Sequence, residues 1–119
     1  MANSRKYVLT SGREIFGGKN AENNDELVKS ASRSDVLLHT AEPGSPFVNV
    51  GEKPTKAEVK EAAIFCARYS QDWRDNKRDV FVNKFIRNDM KKGIFMKRGT
   101  WKVKKSERIR VKKGDILEF

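Results

Sequence analysis

His39, the one histidine of this 119-residue chain, and Ser45 stand together in "HTAEPGS", the pairing that most suggests acid–base or nucleophilic chemistry. A serine nucleophile needs a base within hydrogen-bond reach, a group that orients the base and a prepared oxyanion site. "EPGSP" lacks the strand-to-helix elbow in which such serines are presented, and nothing nearby supplies the orienting group. The expectation is therefore a satisfied histidine at a strand end and no catalytic residue. A metal site is not expected either, because one His, one Cys and scattered carboxylates give no ligand spacing. Nor does any motif call for a cofactor.

Two other stretches can hold anions. In "GGKNAENND" glycines precede a helix start, where free backbone N–H groups attract phosphate. The Gly-Lys-Ser/Thr ending of a Walker loop is missing, so the stretch reads either as a turn before a capped helix or as a place where Lys19 and Asn20 meet a polymer phosphate. "RNDMKKGIFMKRGTWKVKK" carries the stronger signal. Lys91, Lys92, Lys97 and Arg98 flank an apolar tip, with Phe95 and Trp101 interleaved, the combination that meets phosphates and stacks on unpaired bases. Its plain alternative is a solvated basic hairpin whose two aromatics belong to the core.

The elements that must position these residues are short. "YVLT" and "REIF" read as a hairpin across Ser11-Gly12. Asn23, with Glu26 three residues on, suggests a capped helix to about Ser32. "DVLLHTA" is strand-like until "EPGSP" breaks it, and "FVNV" resumes. "PTKAEVKEAAIFCARYSQDW" reads as one long helix, opened by a Thr55/Glu58 capping box, with Val59, Ala62, Ala63, Cys66, Tyr69 and Trp73 on its apolar face. Cys66 is thereby placed in the core. "DVFVNKFI", "TWKVKK", "RIRVKKG" and "ILEF" are β-rich. The sum is an α+β fold: a single domain over residues 1–119, with a mixed or antiparallel sheet packed against two helices on one face and a basic β-hairpin in the C-terminal half.

The net charge of +10 favours an anionic partner, and it is unevenly placed. Between residues 84 and 113 thirteen basic side chains face only Asp89 and Glu107. A single cysteine excludes an internal disulfide and fits a reducing compartment. The first residues lack the apolar core of a signal peptide, and no apolar run approaches bilayer-spanning length. A cytoplasmic protein without membrane contact is expected.

Residues 18–48, "GKNAENNDELVKSASRSDVLLHTAEPGSPFV", resemble the signature of the NFACT-R domain, also called DUF814. Gly18, Lys19, Asn20, Ala21, Asn24, Asp25, Leu27, Asp35, His39 and the Pro43-Gly44-Ser45 turn all match its pattern. "EAAIFCARYS" and "DVFVNKFIR" with the following "KKG" are similar to the family's later segments, so the likeness covers nearly the whole chain. Leu37 replaces the family's tryptophan and Pro46 the histidine usual after Gly-Ser. The C-terminal "KKGIFMKRGTWKVKK" differs from the loop of long members and looks like the short, stand-alone archaeal form.

The resemblance implies a non-catalytic RNA-binding module whose partner is tRNA or rRNA. Long relatives carry this domain in ribosome-associated quality control, recruiting tRNA to obstructed large ribosomal subunits, and other contexts suggest RNA modification. On this reading Lys91, Lys92, Lys97 and Arg98 neutralise phosphates, while Lys19, Asn20, His39 and Ser45 form a polar patch. The alternative from another class is a protein-interaction adaptor on the ribosome or on an RNA-modifying enzyme, separable because RNA binding falls steeply with salt. An enzyme acting on RNA comes third, for want of catalytic groups.

Overall fold

The computed structural model describes residues 4–92 and 100–119. Strands β1 (Arg5–Val8) and β2 (Glu14–Gly17) form the expected hairpin, with Gly12 at a φ of 93° in its turn. With β3 (Val36–Thr40), β4 (Val48–Gly51), β5 (Val80–Ile86) and the later β8 (Glu107–Val111) they build a six-stranded sheet in the order β1-β2-β4-β3-β5-β8. Every neighbouring pair in it is antiparallel. Strands β6 (Met90–Lys91) and β7 (Lys102–Val103) pair separately as the base of the basic hairpin.

Alternation along the strands divides the core into two. Leu38, Val48, Val50, Val80 and Val82 pack with Val59, Ala62, Ala63 and Cys66 of helix α2 (Lys56–Arg68). Leu37, Phe47 and Phe85 point to the opposite face, where Leu27 and Val28 of helix α1 (Ala21–Ser30) and Met90 cover them. Helices therefore lie on both faces, not on one as the element order suggested. The reason is that α1 covers only part of the second face, and the hairpin base completes the cover with Trp101 and Val103.

Three boundaries differ from the sequence reading. The cap of α1 is Asn20, whose extended backbone and Oδ1, accepting from the Asn23 N–H at 2.8 Å, start the helix three residues early. The long helix divides: after α2, Ser70 accepts from the Trp73 N–H and donates to the Ala67 carbonyl, opening a separate α3 (Gln71–Asn76). The expected Thr55/Glu58 capping box of α2 is present. The end of the chain forms α4 (Lys113–Leu117) where a strand was expected, giving four α-helices among the described residues. There the Asp79 carboxylate accepts from the Lys113 N–H at 2.7 Å, and Ile116 is fully buried beside α2. Burying an isoleucine stabilises by about 1.5–3 kcal/mol, more than the roughly 1 kcal/mol span of strand preference. No helix among the described residues is long and apolar enough to cross a membrane.

Candidate nucleic-acid interface

The "GKNAENN" stretch is a knot of side-chain-to-backbone bonds joining β2, α1 and the entry to β4. Gly18 donates its N–H to the Phe47 carbonyl, and Asn24 Oδ1 accepts from the Phe47 N–H at 3.0 Å. A Cβ on residue 18 would lie 1.8 Å from that same Oδ1, so glycine is required for Asn24 to reach Phe47. Asn23 Oδ1 in turn accepts from the Lys19 N–H at 3.1 Å. The Lys19 and Asn23 amides at the helix start are thus already used by side chains of the turn itself.

Facing this knot is the loop from Ala41 to Phe47. Gly44, at a φ of 88°, accepts at its carbonyl from the Gln71 N–H and thereby fixes the loop against the start of α3. Ser45 is buried; its hydroxyl accepts from the Thr40 N–H at 3.0 Å and donates to the Pro46 carbonyl. His39 donates from Nδ1 to the Thr40 carbonyl at 2.8 Å and lies against the Phe47 ring, centroid to centroid 4.5 Å. Burial pushes its pKa below the ordinary 6.5, only partly offset by that carbonyl. The ring is therefore neutral at pH 7, with Nε2 as an acceptor. Serine and histidine are each bonded elsewhere, so they do not form a nucleophile–base pair. Cys66, fully buried, has its thiol pKa pushed up to about 12 by desolvation.

The structure brings Lys19, Asn20, His39 and Ser45 to one cleft of about 400 Å³, whose other walls include Arg5, Tyr69 and Arg74. Among the described residues, no carboxylate lines it. Arg5 lies over the Tyr69 ring at 4.0 Å, and among the described residues Arg74 donates to the neutral Gln71 Oε1 and Tyr69 carbonyl. Reading by sequence missed both arginines and the tyrosine, since they come from β1, the α2–α3 junction and α3 and carry no local motif.

The basic hairpin is arranged differently. Lys91 is exposed on β6, opposite Lys102. Lys92 reaches back to Asp25 of α1, Nζ to Oδ1 2.8 Å, and to the Thr100 carbonyl. Trp101 donates its indole N–H to the same Asp25 oxygen at 3.0 Å, and its ring carries Lys92 and Arg87 at 5.2 and 5.0 Å. Phe95, Lys97 and Arg98 lie outside the described residues. The hairpin base adjoins the cleft: His39 also lines a second hollow of about 380 Å³, which Thr100, Trp101 and Val103 wall on the other side.

Residues 5–105 match the family described as the NFACT protein RNA binding domain. Among solved structures, the C-terminal part of the fibronectin/fibrinogen-binding protein from Streptococcus suis superposes with a TM-score of 0.85 at 22% identity, covering 99% of this chain and 49% of that one. The chain therefore has the fold of that region and about half the length of its neighbour. No curated protein matches it. With residues 5–105 accounted for by one family, its Gly-Lys-Asn and Pro-Gly-Ser turns meeting in one basic cleft, this chain belongs to the NFACT protein RNA binding domain family.

Proposed function

We propose that this RNA-binding domain takes structured RNA, tRNA or rRNA, into the cleft between the α1 cap and the Pro-Gly-Ser loop, and acts by binding without a catalytic step. One observation carries the reading: Arg5 of β1, Lys19 of the β2–α1 turn and Arg74 of α3 converge on a cleft that no carboxylate among the described residues lines. Uncompensated cations on a concave surface focus phosphate, and such contacts position an RNA without reading its sequence. Lys91, exposed on β6, adds a cation at the hairpin base, and Lys97 and Arg98, outside the described residues, are assigned to phosphates on the sequence reading alone. Lys92 fixes that base to Asp25. The family's description as RNA-binding favours this role over an enzyme's. A cytoplasmic setting, in ribosome-associated quality control or RNA modification, and a single domain over residues 1–119 fit the same reading.

The test is a salt titration of tRNA binding followed by fluorescence anisotropy. The triple variant Arg5→Ala, Lys19→Ala, Arg74→Ala is expected to bind more weakly and to flatten the log–log salt dependence by about one unit per cation removed. A folded triple variant with unchanged affinity and slope rejects the cleft as the site.

A further inference from the structure

Beside the basic cleft lies the second hollow, and the two differ in chemistry. Phe47 and Phe85, nearly buried, meet at 6.2 Å edge to face within its wall, and Trp101 flanks them. Its wall is polar and apolar in nearly equal measure, with His39, Asn83 and Thr100 beside the rings. A hollow of about 380 Å³ with convergent polar atoms falls within the roughly 300–1,000 Å³ of ordinary small-molecule sites. Here the small molecule would be part of a polymer, because the hollow opens beside cations.

The polar groups come in register. His39 of β3 is the direct cross-strand partner of Asn83 of β5, and Asn83 is the partner of Arg108 of β8. Directly opposed residues stand side by side on one face of a sheet. Asn83 makes no side-chain hydrogen bond among the described residues, and neither does His39 Nε2, since the other ring nitrogen holds Thr40. A neutral acceptor thus stands next to an amide that both donates and accepts, which is what the edge of an unpaired nucleobase requires. Arg108 stands beyond the wall of this hollow, 5.6 Å over the exposed ring of Phe81, the next residue on the same face of β5.

Resting on the proposed binding of RNA in the cleft, we propose that this hollow receives one unpaired nucleobase of the bound RNA, held against Phe47, Phe85 and Trp101 and read at its edge by Asn83 and His39. The base's own phosphate then lies toward Lys19. A duplex cannot supply this base without opening a pair, so the domain selects RNA with a single-stranded or bulged position. Asn83, which lies in neither the Gly-Lys-Asn nor the Pro-Gly-Ser turn, thereby takes a direct part in selecting the RNA.

The experiment compares a single-stranded RNA with the same strand annealed into a blunt duplex, by anisotropy, for the wild type, Asn83→Ala and the Arg5/Lys19/Arg74 triple alanine variant. The wild type is expected to bind the single strand about tenfold more tightly, in keeping with the gain from stacking one base. Asn83→Ala is expected to narrow the preference to within about twofold and leave duplex affinity unchanged, while the triple variant weakens both RNAs together. Circular dichroism confirms that each variant is folded. Equal wild-type affinity for the two RNAs, or an unaltered preference in Asn83→Ala, overturns the nucleobase site while the salt-sensitive cleft stands. Failure of the wild type to bind either RNA overturns both readings.

Discussion

The cleft at the α1 cap and the basic hairpin both present positive charge, but they are built by opposite means. The cleft is shaped by neutral bonds: Asn20, Asn23, Asn24 and Ser45 each satisfy a backbone amide, which leaves the Lys19 ammonium without an acid partner among the described residues. The hairpin base is held by charge itself, with Lys92 and Trp101 gathered on Asp25. Cations that shape a fold are not free to bind a ligand. A count of basic residues along the chain therefore overstates the hairpin, whereas the cleft draws on cations too scattered to show in any window.

The largest expected effect tests whether the cleft's neutral frame is indispensable. Gly18→Ala places a methyl 1.8 Å from Asn24 Oδ1, so Asn24 must leave Phe47 and a buried N–H loses its partner. Strain and the unmet amide together are expected to cost about 2–4 kcal/mol. Urea unfolding should show this as a lower midpoint with an unchanged slope. A variant with wild-type stability would mean that the Gly18–Asn24 contact does not hold the cleft together.

Much of this was legible in the sequence, and what was not has physical reasons. The hairpin at Ser11-Gly12, the strand through His39 that stops at Thr40, the Thr55 capping box and the burial of Cys66 follow from local patterns that tertiary contacts reinforce. The α1 start was misplaced because Asn20 and Asn23 are equally able caps, and only the use of Asn23 on the Lys19 N–H separates them. Ser70 was hidden within a continuous apolar stripe. Arg5, Tyr69 and Arg74 meet only when the α2–α3 junction folds back toward β1. Asn83 looks like an ordinary strand residue until the strand register sets it beside His39.

Two adjacent lysines sharpen the contrast at smaller scale. Lys92→Ala removes a half-buried charge pair with Asp25 and leaves that carboxylate with the indole N–H, so a loss of about 1–2 kcal/mol is expected. Lys91→Ala, on the exposed side of β6, is expected to stay within about 0.5 kcal/mol of the wild type. In RNA binding the order reverses for salt dependence: Lys91→Ala lowers the slope by about one unit as a phosphate contact would. Equal stability of the two variants would dissolve the distinction between structural and ligand-facing charge in the hairpin.

The smallest effect is a pH dependence that comes from the cleft's imidazole. Burial holds the His39 pKa below the 6.5 that it has when unfolded, so below that pH the unfolded chain binds a proton that the folded chain resists. Stability from this source is complete above 6.5 and declines as the pH falls through the lower folded value. Glu58 does not confuse the window: its hydroxyl and amide donors, Ser11 and Thr55, with Arg13 beside them, hold its pKa at about 2, so its own loss begins only below the ordinary 4.5. Denaturant midpoints between pH 7 and 5 should therefore fall for the wild type and run flatter for His39→Gln. An identical slope in the variant would show that the ring is as free to protonate as in water, and the cleft would then lose the neutral acceptor that sets it apart from the charge-built hairpin.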